Sequence, residues 1–277
     1  MIVWLNGELV EEHAARVSPL DHGLLVGDGV FETLRVVGGV PFAWTRHIDR
    51  LTHSATGLGL VPPSDVDLRA ATDAVIRANE IAEGRLRLTV TGGPAPLGSD
   101  RGDRGPTVIV AIAQFRPWPP VVDVVTVPWT RNECSATAGL KTISYADNVR
   151  ALAYAHERDA SEALFANTAG SLCEGTGSNI FCAHDGKLRT PPLRSGCLPG
   201  VTRALVLELG DRHGVPIEEA DLALDAVTTA NEAFLTSSTR DVQPIAHMDG
   251  RELPAPGPLT ESVAALFADL VATDLDP

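Results

Sequence analysis

The stretch Leu172-Cys173-Glu174-Gly175-Thr176-Gly177-Ser178-Asn179-Ile180-Phe181 constrains this chain more than any other. Its apolar ends read as strands and the small-residue run between them reads as a tight turn. Glu174 then stands at the lip of a strand, where a carboxylate is poorly solvated unless a cation faces it. The rest of the chain has to supply that cation or bind it.

Composition narrows the search. A chain of 277 residues makes one large or two medium domains, and 44% hydrophobic content is enough for a sizeable core. The net charge of −14 argues against nucleic acid or an anionic membrane as partner. Apolar runs such as Thr107 to Ala113 are far shorter than a membrane span, and no basic segment followed by an apolar one opens the chain. The expectation is a cytoplasmic protein with four free thiols, Cys134, Cys173, Cys182 and Cys197. Eight scattered histidines without a HExxH motif predict no metal site. Lysine occurs only twice, as Lys141 and Lys187, so each merits inspection.

Turn chemistry and periodicity organise the rest. Asn6-Gly7 predicts a hairpin joining Ile2–Leu5 to residues 8–10, and Gly38-Gly39 a second one joining 31–37 to 40–44. Apolar residues at helical spacing predict helices over 46–58 and 65–79. Strands over 85–90 and 107–115 flank a long polar, glycine-rich loop, Thr91 to Pro106, whose length suggests function. Pro117-Trp118-Pro119-Pro120 reads as a linker, because proline interrupts both helix and sheet. A smaller N-terminal domain (1–116) and a larger C-terminal domain (121–277) follow, in an α+β architecture. The second half reads as strands over 121–128, 162–167, 178–183, 187–190 and 232–235, with helices over 147–159, 202–213 and 259–269.

Several segments carry chemistry. Lys141 lies among small and apolar neighbours, Gly139-Leu140-Lys141-Thr142-Ile143-Ser144-Tyr145; partial burial would lower its amine pKa and make it a nucleophile toward an aldehyde. Alone, a solvated surface lysine is the commoner case. Leu198-Pro199-Gly200-Val201-Thr202-Arg203 opens a helix whose first N–H groups and Thr202 hydroxyl suit an anion, or merely start the helix. Thr236-Ser237-Ser238-Thr239 follows a strand and offers hydroxyls to a phosphate or to a turn. Arg50 can donate two parallel hydrogen bonds to a phosphate, or face solvent. Gly175-Thr176-Gly177 lacks the third glycine of a dinucleotide fingerprint, and Gly27-Asp28-Gly29 precedes a strand rather than the helix of a P-loop.

Together and in this order, these pieces resemble the class IV, fold-type IV pyridoxal-phosphate enzymes: branched-chain and D-amino-acid aminotransferases and aminodeoxychorismate lyases. The resemblance runs through Gly27 to Arg35, His47 to Leu51, Lys141, Glu174 to Phe181, Leu198 to Arg203 and the hydroxyl run ending at Asp241. It implies a two-domain fold with a β-barrel-like core in the larger domain, and pyridoxal 5′-phosphate as cofactor. It implies that Lys141 forms a Schiff base with the cofactor and shuttles a proton, and that Glu174 pairs with the pyridine nitrogen. Arg50, Val201, Thr202, Ser238 and Thr239 would hold the phosphate side, Leu198 would pack on the ring, and Tyr145 would reach the phenolic oxygen. It also implies a homodimer with sites at the subunit interface, and amino acids and 2-oxo acids as substrates.

The substrate is harder to read. Thr33, after Phe31 and Glu32, matches a threonine of the lyases. The arginine the lyases place after Val90 is replaced by Thr91-Gly92-Gly93, and the D-amino-acid carboxylate trap falls on Leu97-Gly98-Ser99, with Phe31 for its tyrosine. Of the branched-chain pattern only Arg87 persists. The expectation is an atypical aminotransferase leaning to D-amino acids, with (R)-amines beside them; aminodeoxychorismate lyase and branched-chain L-amino-acid aminotransferase are the alternatives. Arg87, Arg101 or Arg104 would meet the substrate carboxylate, with backbone amides near Thr239 and Arg240, and Phe31 and Thr33 would line the site.

Overall fold

A computed structural model describes all 277 residues, Met1–Pro277. The chain divides into two compact units. The first comprises Met1–Arg116, Leu140–Tyr145 and Asp274–Pro277, and the second Pro117–Gly139 and Ala146–Thr273. No helix is long and apolar enough to cross a membrane.

The first unit contains β1 (Ile2–Leu5), β2 (Glu8–Glu11), α1 (His22–Val26), β3 (Gly29–Val37), β4 (Val40–Pro41), α2 (Trp44–Gly57), α3 (Asp65–Asn79), β5 (Gly84–Thr91) and β6 (Thr107–Gln114). Its six strands form an antiparallel sheet in the order β2-β1-β6-β5-β3-β4. Alternate residues of β3 and β5, among them Val30, Leu34, Leu86 and Leu88, bury against Ile48 and Leu51 of α2 and Leu68 and Val75 of α3. Each such side chain contributes about 1.5–3 kcal/mol when fully buried. Ser64 caps α3 by accepting the Asp67 amide, and Asp65 and Asp67 complement the helix dipole. The strand expected over 40–44 ends at Pro41: Ala43 takes a left-handed φ of 54°, and Trp44 already opens α2. The first turn of α2 has no cap from its own sequence, and Asp276 accepts the Thr45 amide at 2.8 Å instead.

The second unit contains β7 (Val122–Arg131), α4 (Ala146–His156), β8 (Glu162–Asn167), β9 (Leu172–Gly175), β10 (Asn179–His184), β11 (Lys187–Thr190), α5 (Val201–His213), β12 (Ile217–Glu219), α6 (Ala226–Thr229), β13 (Glu232–Ser237), β14 (Asp241–Met248), β15 (Arg251–Glu252) and α7 (Pro258–Thr273). Its nine strands make a mixed sheet that curls as a half-barrel, in the order β12-β11-β10-β13-β14-β7-β8-β9 with β15 beside β14. The Asp185-Gly186 turn joins β10 to β11 as the sequence predicts, both residues at positive φ. Every residue of β8 is buried, including its first, Glu162.

Candidate functional site

In the first unit, the segment Leu140–Tyr145 lies along β3. Phe31 donates its amide to the Lys141 carbonyl at 3.0 Å, Ile143 donates to the Gly29 carbonyl at 2.9 Å, and the Ser54 hydroxyl of α2 accepts the Lys141 amide at 3.1 Å. Lys141 is thus held by its backbone on both sides. The approach requires Gly29, because a Cβ there would lie 2.7 Å from the Val90 carbonyl and 2.8 Å from the Ile143 side chain.

The Lys141 Nζ lies 4.4 Å from the centroid of the Phe31 ring, and the Arg87 guanidinium lies 3.8 Å from the same centroid. Cations are drawn to a ring face by its quadrupole, for about 0.5–2 kcal/mol according to burial. Tyr145 meets Phe31 edge to face at 5.1 Å. Thr33 pairs with Arg87 in the β3–β5 register, and Thr89 accepts the Arg87 Nε–H at 3.2 Å.

Behind this cluster Glu32 is buried on the same face of β3 as Val30 and Leu34. Arg50 grips it with Nε and Nη2, each at 2.7 Å, and His47 Nδ1 lies 2.7 Å from its Oε2. Burial raises the Glu32 pKa, but the Arg50 charge, with His47 beside it, outweighs burial and holds the carboxyl far below its usual range. Burial also dominates at His47, whose pKa is lowered despite the attraction of Glu32. The consistent reading is a neutral His47 donating through Nδ1, with Arg50 supplying the positive charge. Arg50 is therefore fixed in orientation rather than facing solvent.

The loop over 92–106 is strapped down by Arg101. Its Nε and Nη2 donate to Asp28 at 2.7 and 2.6 Å, and its Nη1 and Nη2 to the carbonyls of Gly59 and Leu58 at 2.8 and 2.7 Å. Asp28, its pKa lowered chiefly by the Arg101 hydrogen bond, also faces His22 Nδ1 at 3.0 Å. Arg104 is exposed.

In the second unit, Glu174 is the next-to-last residue of β9 and lies opposite Phe165 of β8. The Leu198 amide donates to its Oε2 at 2.8 Å, and Arg131 stands 3.3 Å from its Oε1. Arg131 also covers the Phe165 ring at 4.2 Å and donates to Asn148 at 2.9 Å, and Asn148 in turn donates to the Thr176 carbonyl. Cys173 and Cys197 are raised first by burial and then by the Glu174 charge, Cys197 to about 11, so neither is a thiolate at neutral pH. Leu198 is half-buried and its carbonyl accepts from Asn179 at 3.0 Å.

Gly200 precedes α5 with no side-chain cap, and the first turn, with Val201 and Thr202 buried, contains no acid. A Cβ at Gly200 would lie 2.0 Å from the Asn179 Oδ1, so the bare helix start depends on glycine. Ser238 is half-buried in the β13–β14 turn and Thr239 is buried, its hydroxyl accepting the Trp118 indole N–H at 3.3 Å. The Arg240 amide closes that turn on Ser237, and its guanidinium lies 3.7 Å over the Trp118 ring.

Sequence reasoning overlooked Arg131, Asn148, Glu32 and Glu162. The two acids had a usable signal: each falls on an apolar strand face, where a carboxylate demands partners. The other two come into place only through the fold.

Residues 29–248 match the family described as amino-transferase class IV. The chain is 32% identical to the D-alanine aminotransferase of Listeria monocytogenes, over 97% of this chain and 96% of that one. It is 31% identical to the aminodeoxychorismate lyase of Bacillus subtilis, over 90% and 87%. Its fold matches the branched-chain aminotransferase of the thermophilic archaeon Thermoproteus uzoniensis with norvaline at a TM-score of 0.90 and 30% identity, covering 98% of this chain and 94% of that one. The chain belongs to the class IV aminotransferases and is a pyridoxal-phosphate-dependent enzyme.

Proposed function

We propose that this enzyme moves an amino group between an amino acid and a 2-oxo acid, with D-amino acids as preferred donors and (R)-amines accepted beside them. The observation that supports it most is the Phe31 ring, which has the Lys141 amine and the Arg87 guanidinium against it. An α-amino acid needs a base at its Cα and a cation for its carboxylate, and this cluster offers both. Arg101 is committed to Asp28 and two carbonyls, so Arg87 is the better carboxylate receiver.

The residues present fit the cofactor. An uncapped, acid-free helix start with a glycine at its mouth suits a phosphate. A carboxylate steadied by an amide and an arginine suits a protonated pyridine nitrogen. Bound pyridoxal phosphate supplies an aldehyde that takes up the substrate amine and a ring that draws electrons from the Cα–H bond. In the first unit, Lys141 anchors the cofactor and moves the Cα proton, Tyr145 attends the phenolic oxygen, and Arg50, oriented by Glu32, offers its guanidinium to the phosphate. In the second unit, Glu174 keeps the pyridine nitrogen protonated, a charge-assisted contact worth about 1.5–3 kcal/mol. The Val201 and Thr202 amides, the Thr202 hydroxyl, Ser238 and Thr239 receive the phosphate, and Leu198 packs on the ring.

The lean to D-amino acids rests on the D-alanine aminotransferase relative and on the loss of the usual carboxylate trap at Leu97-Gly98-Ser99. Thr33, set opposite Arg87, favours aminodeoxychorismate lyase as the second reading. A homodimer is part of the proposal: Leu24, Leu25 and Val26 of α1 are three consecutive exposed apolar residues, suited to cover by a second copy.

Purified enzyme given 2-oxoglutarate with D-alanine, and separately with L-leucine, tests the assignment. D-Alanine should react with the higher kcat/KM. Faster L-leucine turnover selects the branched-chain reading, and pyruvate release from aminodeoxychorismate without an acceptor selects the lyase. Arg87→Leu should lower kcat/KM for D-alanine about 10- to 100-fold, and that for (R)-1-phenylethylamine, which has no carboxylate, much less.

A further inference from the structure

Glu162 touches none of the residues assigned to the cofactor, yet it joins the two loops that present them. It opens β8 and is 1% exposed. Its Oε1 accepts the Thr176 amide at 3.0 Å and the Thr176 hydroxyl, and also the Ala163 amide at 3.0 Å. Its Oε2 accepts the Ser178 hydroxyl at 3.0 Å and faces Arg240 Nη2 at 3.6 Å. Thr176 and Ser178 form the turn that follows Glu174, and Arg240 follows Ser238 and Thr239 in the β13–β14 turn.

Both loops are short, polar and rich in small residues, so neither fixes its own shape through packing. One carboxylate meets both. Arg240 is braced from its other side by the Trp118 ring and by Gln243, whose amide donates to the Pro119 carbonyl at 2.7 Å. The Trp118 indole reaches the Thr239 hydroxyl. Displacing Glu162 would release the Thr176 end of one turn and the Arg240 end of the other together.

We propose that Glu162 is a positioning residue that sets the pyridine-side turn and the phosphate-side turn relative to each other, so that the cofactor meets both at once. This rests on the assignment of Glu174, Ser238 and Thr239 to the cofactor. Glu162→Ala, Glu162→Gln and Thr176→Val are compared with Glu174→Ala as holoenzymes. Three properties are followed: the rate of cofactor release on dilution, the visible circular dichroism of the bound cofactor, and the melting temperature of the cofactor-free protein.

Glu162→Ala should release cofactor about tenfold faster or more and change the dichroism, consistent with loss of charge-assisted bonds. Glu162→Gln keeps one carbonyl oxygen for Thr176 and should recover part of the retention. A role in stability alone would lower the melting temperature while leaving release and dichroism of the folded protein as they were. Release from Glu162→Ala at the parent rate, while Glu174→Ala loses its cofactor, overturns the proposal; if the alanine variant does not fold, parent-like release from both Glu162→Gln and Thr176→Val does the same. Parent-like retention in Glu174→Ala would instead overturn the cofactor assignment on which the proposal stands.

Discussion

Glu32 and Glu162 are both enclosed carboxylates on strands, 0% and 1% exposed, and they are satisfied in opposite ways. Glu32 meets a guanidinium fork and an imidazole, both from one turn of α2, three residues apart. Glu162 meets the hydroxyls and an amide of one turn, Thr176 and Ser178, and the amide of its own neighbour Ala163, with Arg240 of a second turn at 3.6 Å. The first arrangement pins a helix to a sheet through concentrated charge. The second ties loops to one another through several hydrogen bonds to a carboxylate, each worth about 1.5–3 kcal/mol. The two should therefore fail differently.

The largest difference should appear on removing Glu32. Glu32→Ala leaves the Arg50 charge buried without its partner, and breaking a buried pair from one side costs about 3–5 kcal/mol. Urea denaturation with amide exchange followed along α2 would register it. A loss below about 1 kcal/mol would mean that Arg50 finds other company, and the contrast between the two carboxylates would collapse.

Acid should weaken the Glu32 arrangement next. The folded pKa of Glu32 lies below its unfolded value of 4.5, so its contribution is full above that pH and declines as pH falls through it. His47 is also depressed, below an unfolded value of 6.5. The unfolded chain therefore takes up a proton first at His47, and stability begins to fall below about pH 6.5, before the Glu32 step begins. A His47→Gln variant should lose the first step and keep the second. Melting temperature against pH, from about 8 to about 2.5, reads the His47 step and the onset of the Glu32 step; an unchanged slope between about 7 and 5 in His47→Gln would refute the assignment of a neutral buried ring.

Much of the fold was legible because its signals are local. Asn6-Gly7 and Asp185-Gly186 are turn dipeptides, and α2 and α3 show a helical apolar period. The helix α1 went unseen because five residues, His22–Val26, are too few to show a period, and Leu24 to Val26 are exposed rather than packed. Ile217–Glu219 was missed because a three-residue parallel strand has no turn beside it to announce it. At the candidate site, Lys141 and Glu174 stood out through scarcity and through the turn, whereas the Phe31 cluster depends on diagonal neighbours across β3 and β5. The donors around Glu162 come from 14 and 16 residues away and from the far β13–β14 turn, and no spacing rule connects them.

The smallest and most discriminating test concerns the two hydroxyls on Glu162. Thr176 is bound to Oε1 and Ser178 to Oε2, so each oxygen has its own hydroxyl. Ser178→Ala should cost about 1–2 kcal/mol, and Thr176→Val a similar amount. If the carboxylate is held rigidly by the strand, the two losses add to within about 0.5 kcal/mol. If it is a hub whose orientation depends on all its donors, the first loss lets it swing toward Arg240, and the second then costs a different amount, with a coupling of about 0.5 kcal/mol or more. The short turn and the 3.6 Å gap to Arg240 favour the hub, because the carboxylate has a charged partner to swing toward. A double-mutant cycle on the cofactor-free protein decides between the two. Additivity would mean that the Thr176 and Ser178 hydroxyls act on Glu162 independently and that its strand, not its donors, sets its orientation.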